Sequence, residues 1–238
     1  MLQNLAPDLW ILDHPQRLPG GLRMSTRMTI VRLPGGDLWL HSAVPLSDAD
    51  AAAIDALGPV RHIVAPNLLH HLYLAPARAR WPAARVWAPP GLRDKRPDLA
   101  IDAHLTGDVP TAWAGAIAAL PIDGAPAIAE TVFIHRPSAT LIVGDLVFAI
   151  RRAEGLRTRL AFWLMGVLGG VRQSRAWRLL TRDRPAAAAA AERVLAEPFD
   201  RLVPCHGDVI AAGAHAEVER ALTWMRRGAE RPRLAAAL

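Results

Sequence analysis

Short apolar runs separated by turn residues dominate the first third of the chain. Residues 8–12 alternate weakly between apolar and polar, and residues 28–33 are rich in β-branched side chains. Pro34-Gly-Gly-Asp37 follows as a strong hairpin signal, and the run 37–42 comes directly after it. Because alternation and β-branching favour strands, we predict that the chain opens with an antiparallel or mixed sheet.

Farther along the chain the pattern changes to helices alternating with strands. Ser47 is a predicted N-cap for a helix that ends at Gly58-Pro59. Further strands are predicted at 60–65, 85–90, 131–135, 139–145 and 201–205, and further helices at about 185–197 and 215–227. No repeat or low-complexity linker interrupts this order, so we predict one domain over residues 1–238.

An apolar helical insertion is predicted at about 156–178. Its part Leu160–Val171 is apolar nearly all round, is flanked by arginines, and is too short to span a bilayer. Three interpretations stay open: a buried helix, a lid over a site, or an anchor at a membrane surface.

Composition narrows the class of protein. The chain has 238 residues, 52% of them hydrophobic, which is enough for a large core. Cys205 is the single cysteine, and residues 1–10 lack a secretory-signal pattern, so we expect a cytoplasmic protein. The net charge is +6 and the isoelectric point about 11.0, but no nucleic-acid motif accompanies the arginines. We therefore expect no nucleic-acid partner and attribute the charge mainly to composition.

Polar side chains with metal-binding chemistry follow three predicted strands. They are His70-His71, Asp145 and His206, whereas His14, His62, His104 and His215 are predicted to be structural or solvated. Imidazole and carboxylate groups gathered at strand ends are ordinary ligands for zinc or iron. This spacing alone indicates a metal site only weakly.

The order of these motifs resembles the metallo-β-lactamase superfamily over roughly residues 5–225. Thr140-Leu-Ile-Val-Gly-Asp145 is similar to the family's hairpin ending in Gly-Asp, and His206 to its last histidine ligand. Pro66-Asn-Leu-Leu-His70-His71 stands where the family has His-x-His-x-Asp-His. The phrases at 39–42, 65–73, 89–98 and 130–138 resemble, more narrowly, domain-of-unknown-function family 4336. The resemblance implies an α+β fold, a four-layer αββα sandwich of two mixed sheets.

The superfamily's pattern supplies ligands for two metals, and this chain differs from it mainly at the first of the two sites. The ligands of the first metal are replaced by Pro66, Leu68 and Ala125, and the family's Asp-x-Gly by His41-Ser-Ala. The positions for the second metal read His70, His71, Asp145 and His206. The resemblance therefore implies one divalent metal on these four residues, zinc rather than iron, with Asp145 and His71 also catalytic.

The remaining candidates are placed by family position. His41, Asn67, Glu130 and His135 are expected to support the ligands or contact substrate.

Three functions are compatible with this set. We favour a hydrolase using a metal-activated water on an ester, thioester, lactone or phosphoester, with a small and anionic substrate received by arginines. The alternative is a non-catalytic binding module with a structural metal or none, in contact with a membrane surface through Leu160–Val171. Redox chemistry at a single iron is the third.

Overall fold

The computed structural model describes residues 1–227, which form thirteen strands and seven α-helices. The strands are β1 Gln3–Ala6, β2 Leu9–Leu18, β3 Leu22–Arg32, β4 Leu38–His41, β5 Val60–Val64, β6 Arg85–Ala88, β7 Ala103–His104, β8 Ile117–Pro121, β9 Thr131–His135, β10 Thr140–Val143, β11 Phe148–Ile150, β12 Gly170–Arg172 and β13 Arg201–Pro204. The helices are α1 Asp48–Asp55, α2 Leu74–Arg80, α3 Gly91–Lys95, α4 Leu156–Met165, α5 Arg175–Leu180, α6 Arg184–Ala196 and α7 Ala214–Arg226.

Two mixed sheets form the centre of the molecule. The first has seven strands in chain order, β1 to β7, antiparallel up to β4 and parallel from β4 onward. The second has the order β13-β10-β9-β8, with β13 parallel to β10 and the other pairs antiparallel. A small ribbon of β11 and β12 lies beside them.

Alternation along the strands sorts the core into layers. In β4, Leu38 and Leu40 pack with α1, α2 and α3, whereas Trp39 packs between the sheets against Phe133. In β10, Ile142 joins the layer between the sheets, and its neighbours on either side pack against α6 and α7. Since successive side chains of a strand point to opposite faces, each sheet is buried on both sides. The result is an αββα sandwich, and the predicted fold class is confirmed.

Most of the helices and strands predicted from local capping and turn residues are present in the structure. Ser47 caps α1, and its hydroxyl accepts a hydrogen bond from the Asp50 N–H. The turn at 34–37 joins β3 to β4, and β9 pairs with β10 as an antiparallel hairpin. The predicted single domain extends to residue 238, and its last residues, 228–238, lie outside the described range.

The apolar insertion is not a buried helix. Within 156–178 the chain forms α4, β12 and the start of α5, and α4 buries only Thr158 and Phe162. None of the helices in residues 1–227 is both long and apolar enough to cross a membrane.

Candidate metal centre

The site is formed where four strands end. Ser42 follows β4, and Asn67 and His70 lie in the loop after β5. Asp145 follows β10 and His206 follows β13. Because β4 is parallel to β5, and β10 to β13, the carboxyl ends of each pair lie side by side.

Three of the predicted ligands meet at this edge. One ligand atom from each of His70, Asp145 and His206 lies within 4.8 Å of the other two. His70 Nε2 is 3.2 Å from Asp145 Oδ2, and His206 Nε2 is 3.5 Å from Asp145 Oδ1. All three side chains are largely buried, so the cluster is preformed.

The ring of His206 is held from both sides. Its Nδ1 lies 2.9 Å from the carbonyl oxygen of Ser25, and the Phe148 ring stacks on it at 5.4 Å. Since a carbonyl oxygen can only accept, Nδ1 carries the hydrogen. In the neutral ring this leaves the lone pair of Nε2 facing the cluster, as a metal ligand requires.

His70 is oriented in the same way. The hydroxyl of Ser42 lies 2.7 Å from His70 Nδ1, and Nε2 faces Asp145. Ser42 has a φ of 57°, an uncommon backbone conformation for a residue other than glycine. The outer nitrogen of each histidine thus has a partner and the inner one faces the cluster.

Asp145 is positioned by a buried polar network. Asn67 Nδ2 donates to Asp145 Oδ2 at 2.9 Å, and Asn67 Oδ1 accepts the backbone N–H groups of Leu69 and His70. The Glu130 carboxylate accepts the backbone N–H groups of 144, 145 and 146 at 2.9–3.1 Å. Asn67 therefore connects the histidine loop to Asp145, and Glu130 fixes the backbone behind that carboxylate.

The ionisable groups of the cluster shift one another's pKa values. Burial raises the pKa of Asp145, but the charge and hydrogen bonds of His70 and His206 outweigh it and hold that pKa below its usual range. Burial lowers the pKa of His70, yet the Asp145 carboxylate outweighs this and raises it. Burial, followed by the charge of Asp145, raises the pKa of Glu130 against the effect of its backbone donors. A metal bound at this cluster would require the neutral form of His70, because an imidazole nitrogen that carries a proton cannot be a ligand.

Two of the predicted residues lie elsewhere. His71 Nδ1 is 3.0 Å from an Arg96 guanidinium nitrogen, because the tight turn after Asn67 points His70 inward and directs its neighbour to another surface. His135 pairs with Thr140, at the start of β10, since β9 runs antiparallel to β10. It therefore lies at the opposite end of the sheet from Asp145.

His41 lies beneath the cluster. It is fully buried, stacks on Trp39, and its Nδ1 lies 3.9 Å from Cys205 Sγ. Burial lowers the pKa of His41 to about 3, so the ring is neutral. Asn67 and Glu130, by contrast, contact the cluster directly.

Sequence reasoning missed the groups that orient the histidine rings. Ser42 had a usable signal, because it follows His41 at the end of a predicted strand. The Ser25 carbonyl had none, since any residue could supply it. Phe148 was equally hidden, because its contact with His206 depends on where β11 packs.

The three positions that correspond to the superfamily's first metal site carry apolar side chains in this chain. Pro66 and Ala125 are buried, and Leu68 packs against the core beside the first sheet. None of these side chains offers a ligand atom, so among the described residues the donor set is two imidazoles and one carboxylate. That set suits zinc or iron(II) and leaves coordination positions for water or substrate.

One cavity borders the ligands, and a second, larger one adjoins it. The metal-site cavity, about 200 Å³, is bordered by the three ligands and by Leu18, Met24 and Leu69. A second cavity of about 550 Å³, here called the arginine cavity, shares Gln16 and Met24 with it. The arginines that line it are Arg17, Arg23, Arg27, Arg151 and Arg152.

Comparison of the sequence with known families gives a match over the first part of the chain. The sequence model described as "Domain of unknown function (DUF4336)" matches residues 7–93, which include Asn67 and His70 but not Asp145 or His206. No curated protein sequence matches the chain.

Solved metallo-β-lactamases are similar over nearly the whole chain. The enzyme from Pontibacter korlensis is 14% identical with a TM-score of 0.66, over 95% of this chain and 98% of that one. The metallo-β-lactamase of Hirschia baltica is 14% identical with a TM-score of 0.62, over 98% and 99%. FIM-1 from Pseudomonas aeruginosa in the mono-zinc form is 14% identical with a TM-score of 0.62, over 97% and 94%. The chain has the metallo-β-lactamase fold, and the predicted resemblance is confirmed.

Proposed function

We propose, from the metallo-β-lactamase fold of this chain, that it is a hydrolase with one divalent metal held by His70, Asp145 and His206. The observation that carries the proposal is the orientation of both imidazole rings. Each ring directs Nε2 at Asp145 and has its Nδ1 held by Ser42 or by the Ser25 carbonyl. Outer partners of this kind fix metal-binding histidines in proteins.

His71 is not part of the proposed ligand set, which therefore differs from the four residues expected from the sequence. Three protein ligands correspond to the open arrangement of catalytic zinc sites, whereas four close the coordination shell. A bound divalent ion would supply a Lewis acid and lower the pKa of water to about 7. We favour zinc over iron, and one similar structure, FIM-1, is a mono-zinc form.

The chain's own residues would orient the substrate. The apolar rim of Leu18, Met24 and Leu69 limits access of bulk water to the ligands. Arg17 and Arg152 line the adjoining arginine cavity and form no ion pair with any residue in 1–227. A substrate with its scissile bond at the ligands would place a carboxylate or phosphate there, so we propose a small anionic ester, thioester, lactone or phosphoester.

Elemental analysis tests the ligand set. Untagged protein purified without chelator is compared with His206→Ala, His71→Ala and, as a control at the far edge of the first sheet, His104→Ala. We expect about one equivalent of zinc in the wild type, in His71→Ala and in the control His104→Ala, and its loss in His206→Ala. Loss of metal in His71→Ala would instead support the four-residue set.

An activity screen tests the reaction class. The same four proteins and Arg152→Gln are assayed on carboxylate- and phosphate-bearing esters, thioesters and lactones, with zinc added back after chelation. We expect hydrolysis that requires both zinc and His206, and kcat/KM reduced mainly through KM in Arg152→Gln. A folded wild type that takes up no zinc would refute the proposal and favour the binding module.

A further inference from the structure

Helix α4 turns its apolar side away from the protein. Only Thr158 and Phe162, one turn apart, are buried in it. The most exposed of its large apolar side chains, here called the α4 outer face, are Leu156 (82% exposed), Leu160 (56%), Trp163 (60%) and Leu164 (53%), whereas Met165 (36%) lies on the other side of the helix. A surface helix of a globular protein normally directs such a stripe at the core, so this face is inverted.

The spacing makes the α4 outer face continuous. Positions 156, 160, 163 and 164 fall on one side of a helix, opposite 158 and 162. At 100° per residue, Arg159 lies along one margin of the stripe and Arg157 along the other, and both are exposed. Exposed leucine and tryptophan side chains flanked by arginines are also found on helices that lie in a membrane interface, although α4 packs its opposite side on the protein and does not expose a polar face there.

Positive charge predominates around α4. Residues 155–182 contain six arginines and no aspartate or glutamate, and Glu154, directly before this stretch, pairs with Arg23 at 3.5 Å. Arg175 donates to the carbonyl oxygen of Leu164 at 3.2 Å, which places its guanidinium at the carboxyl end of α4. Such a surface attracts anionic lipid headgroups, and the arginine stems can lie along the apolar stripe.

The helix is firmly attached to the body of the protein. The Arg23 N–H donates to Thr158 Oγ1 at 3.3 Å, and Phe162 packs with Phe148 and Ile150. The outer face is therefore presented on a fixed support. Loss of its side chains removes no core contact, so variants of this face should fold.

We propose that the α4 outer face is a docking surface for membranes that contain anionic lipid. The helix has ten residues, about 15 Å, which is half of the bilayer core thickness of about 30 Å, so it would lie in the interface and not span it. A second copy of this chain is the less suitable occupant. Two such faces packed together would bring their arginine margins against each other. The proposal does not depend on a metal at His70, Asp145 and His206.

Vesicle sedimentation tests the proposal. Full-length protein is mixed with vesicles of phosphatidylcholine alone or with 30–40% phosphatidylglycerol. We expect binding to the anionic vesicles, weakened by salt, and little binding to the neutral ones. Equal binding to both, or binding to neither, would overturn the proposal, as would self-association through α4 in sedimentation velocity.

Two pairs of variants separate the contributions of the stripe and the margins. Leu160→Ser with Trp163→Ser should weaken binding at least about tenfold, since each loses burial of a large apolar side chain. Arg157→Gln with Arg159→Gln should weaken it about fivefold per arginine. The matched control, Arg61→Gln with Arg80→Gln, removes the same charge from exposed positions on β5 and α2 and should change binding much less. Equal losses in the two arginine pairs would show non-specific charge attraction and refute a docking face.

Insertion is read from fluorescence. Among the eight tryptophans only Trp163 is exposed. Brominated lipid should therefore quench part of the wild-type emission but not that of Trp163→Phe, which keeps an apolar ring and still sediments with vesicles. Binding without this difference in quenching would mean that α4 does not enter the interface, and the proposal would fail.

Discussion

Replacing Asn67 by leucine tests whether one amide holds the site together. Asn67 is fully buried and bonds Asp145 at one end and two backbone N–H groups at the other. Leucine has the same branched skeleton of four side-chain heavy atoms but no polar atom, although its methyl groups are bulkier. The Asn67→Leu variant therefore removes the hydrogen bonds and keeps the branched shape of the side chain.

The expected loss of stability follows from the individual bonds. The backbone N–H groups of Leu69 and His70 lose acceptors at 2.9 and 2.8 Å, at a cost of about 1 kcal/mol each. The buried Asp145 carboxylate loses a donor at 2.9 Å, which costs about 1.5–3 kcal/mol because the acceptor is charged. The free energy of unfolding should therefore fall by about 4 kcal/mol, and zinc affinity by about 10–100-fold.

The assay is urea unfolding of the metal-free protein, followed by far-UV circular dichroism. Zinc affinity is measured separately by competition with a chelating dye. A loss of stability below about 1 kcal/mol would refute the calculation, because such a loss is no larger than that of a single neutral hydrogen bond.

Asn67→Asp provides a matched test of the electrostatics. The introduced carboxyl keeps an acceptor for Leu69 and His70 but faces Asp145 and Glu130, so repulsion raises its folded pKa above the ordinary value of about 3.9. Stability is then retained at low pH and lost as the pH rises through the folded pKa. The deficit relative to wild type at the same pH should grow between pH 4.5 and 7.5. A deficit independent of pH would contradict this picture.

Two further predictions concern stability away from the ligands. Burial lowers the pKa of His135 to about 4 from 6.5, so its neutral ring contributes stability above pH 6.5 that is lost as the pH falls through 4. The loss should be about 3 kcal/mol at about 1.4 kcal/mol per pH unit, and His135→Gln should show a shallower decline in urea titrations; parallel curves would contradict it. Gly124 has a φ of 90°, and a Cβ there would overlap the Asp183 carbonyl oxygen at the start of α6. Gly124→Ala should therefore lower the unfolding free energy by about 2–4 kcal/mol, and Gly115→Ala, also at positive φ but with no atom within 4 Å, by about 1–2 kcal/mol; equal losses would mean that the overlap costs nothing.

Elements with local signals were predictable from the sequence. Ser47 caps α1, the turn at 34–37 joins β3 to β4, and Gly144-Asp145 ends β10 because the nearby residues themselves favour those conformations. The extension of β2 over 13–18 and of β3 over 22–27 was not predicted. Its polar and half-exposed residues form strands only because they pair with each other.

The candidate site was likewise predictable only in part from the sequence. Asp145 and His206 could be chosen because each follows an apolar strand, and a strand's end is visible in the sequence. His70 and His71 were indistinguishable there. The hydrogen bonds of Asn67 and Ser42 direct only His70 into the cluster, and those partners become neighbours only after β4, β5 and β10 have assembled.

For the apolar insertion, the sequence predicted a helix but not which of its sides is buried. Its composition indicated a helix with arginine flanks, but a helix that is apolar nearly all round has no side that must face the core. Packing of Phe162 against Phe148 and Ile150 selected the buried side and left Leu160 and Trp163 outside. Short-range propensities and turn chemistry thus determined most elements and their order. Only tertiary packing decided which side chains meet at the metal centre and which face the solvent, because those directions depend on contacts between residues far apart in the chain.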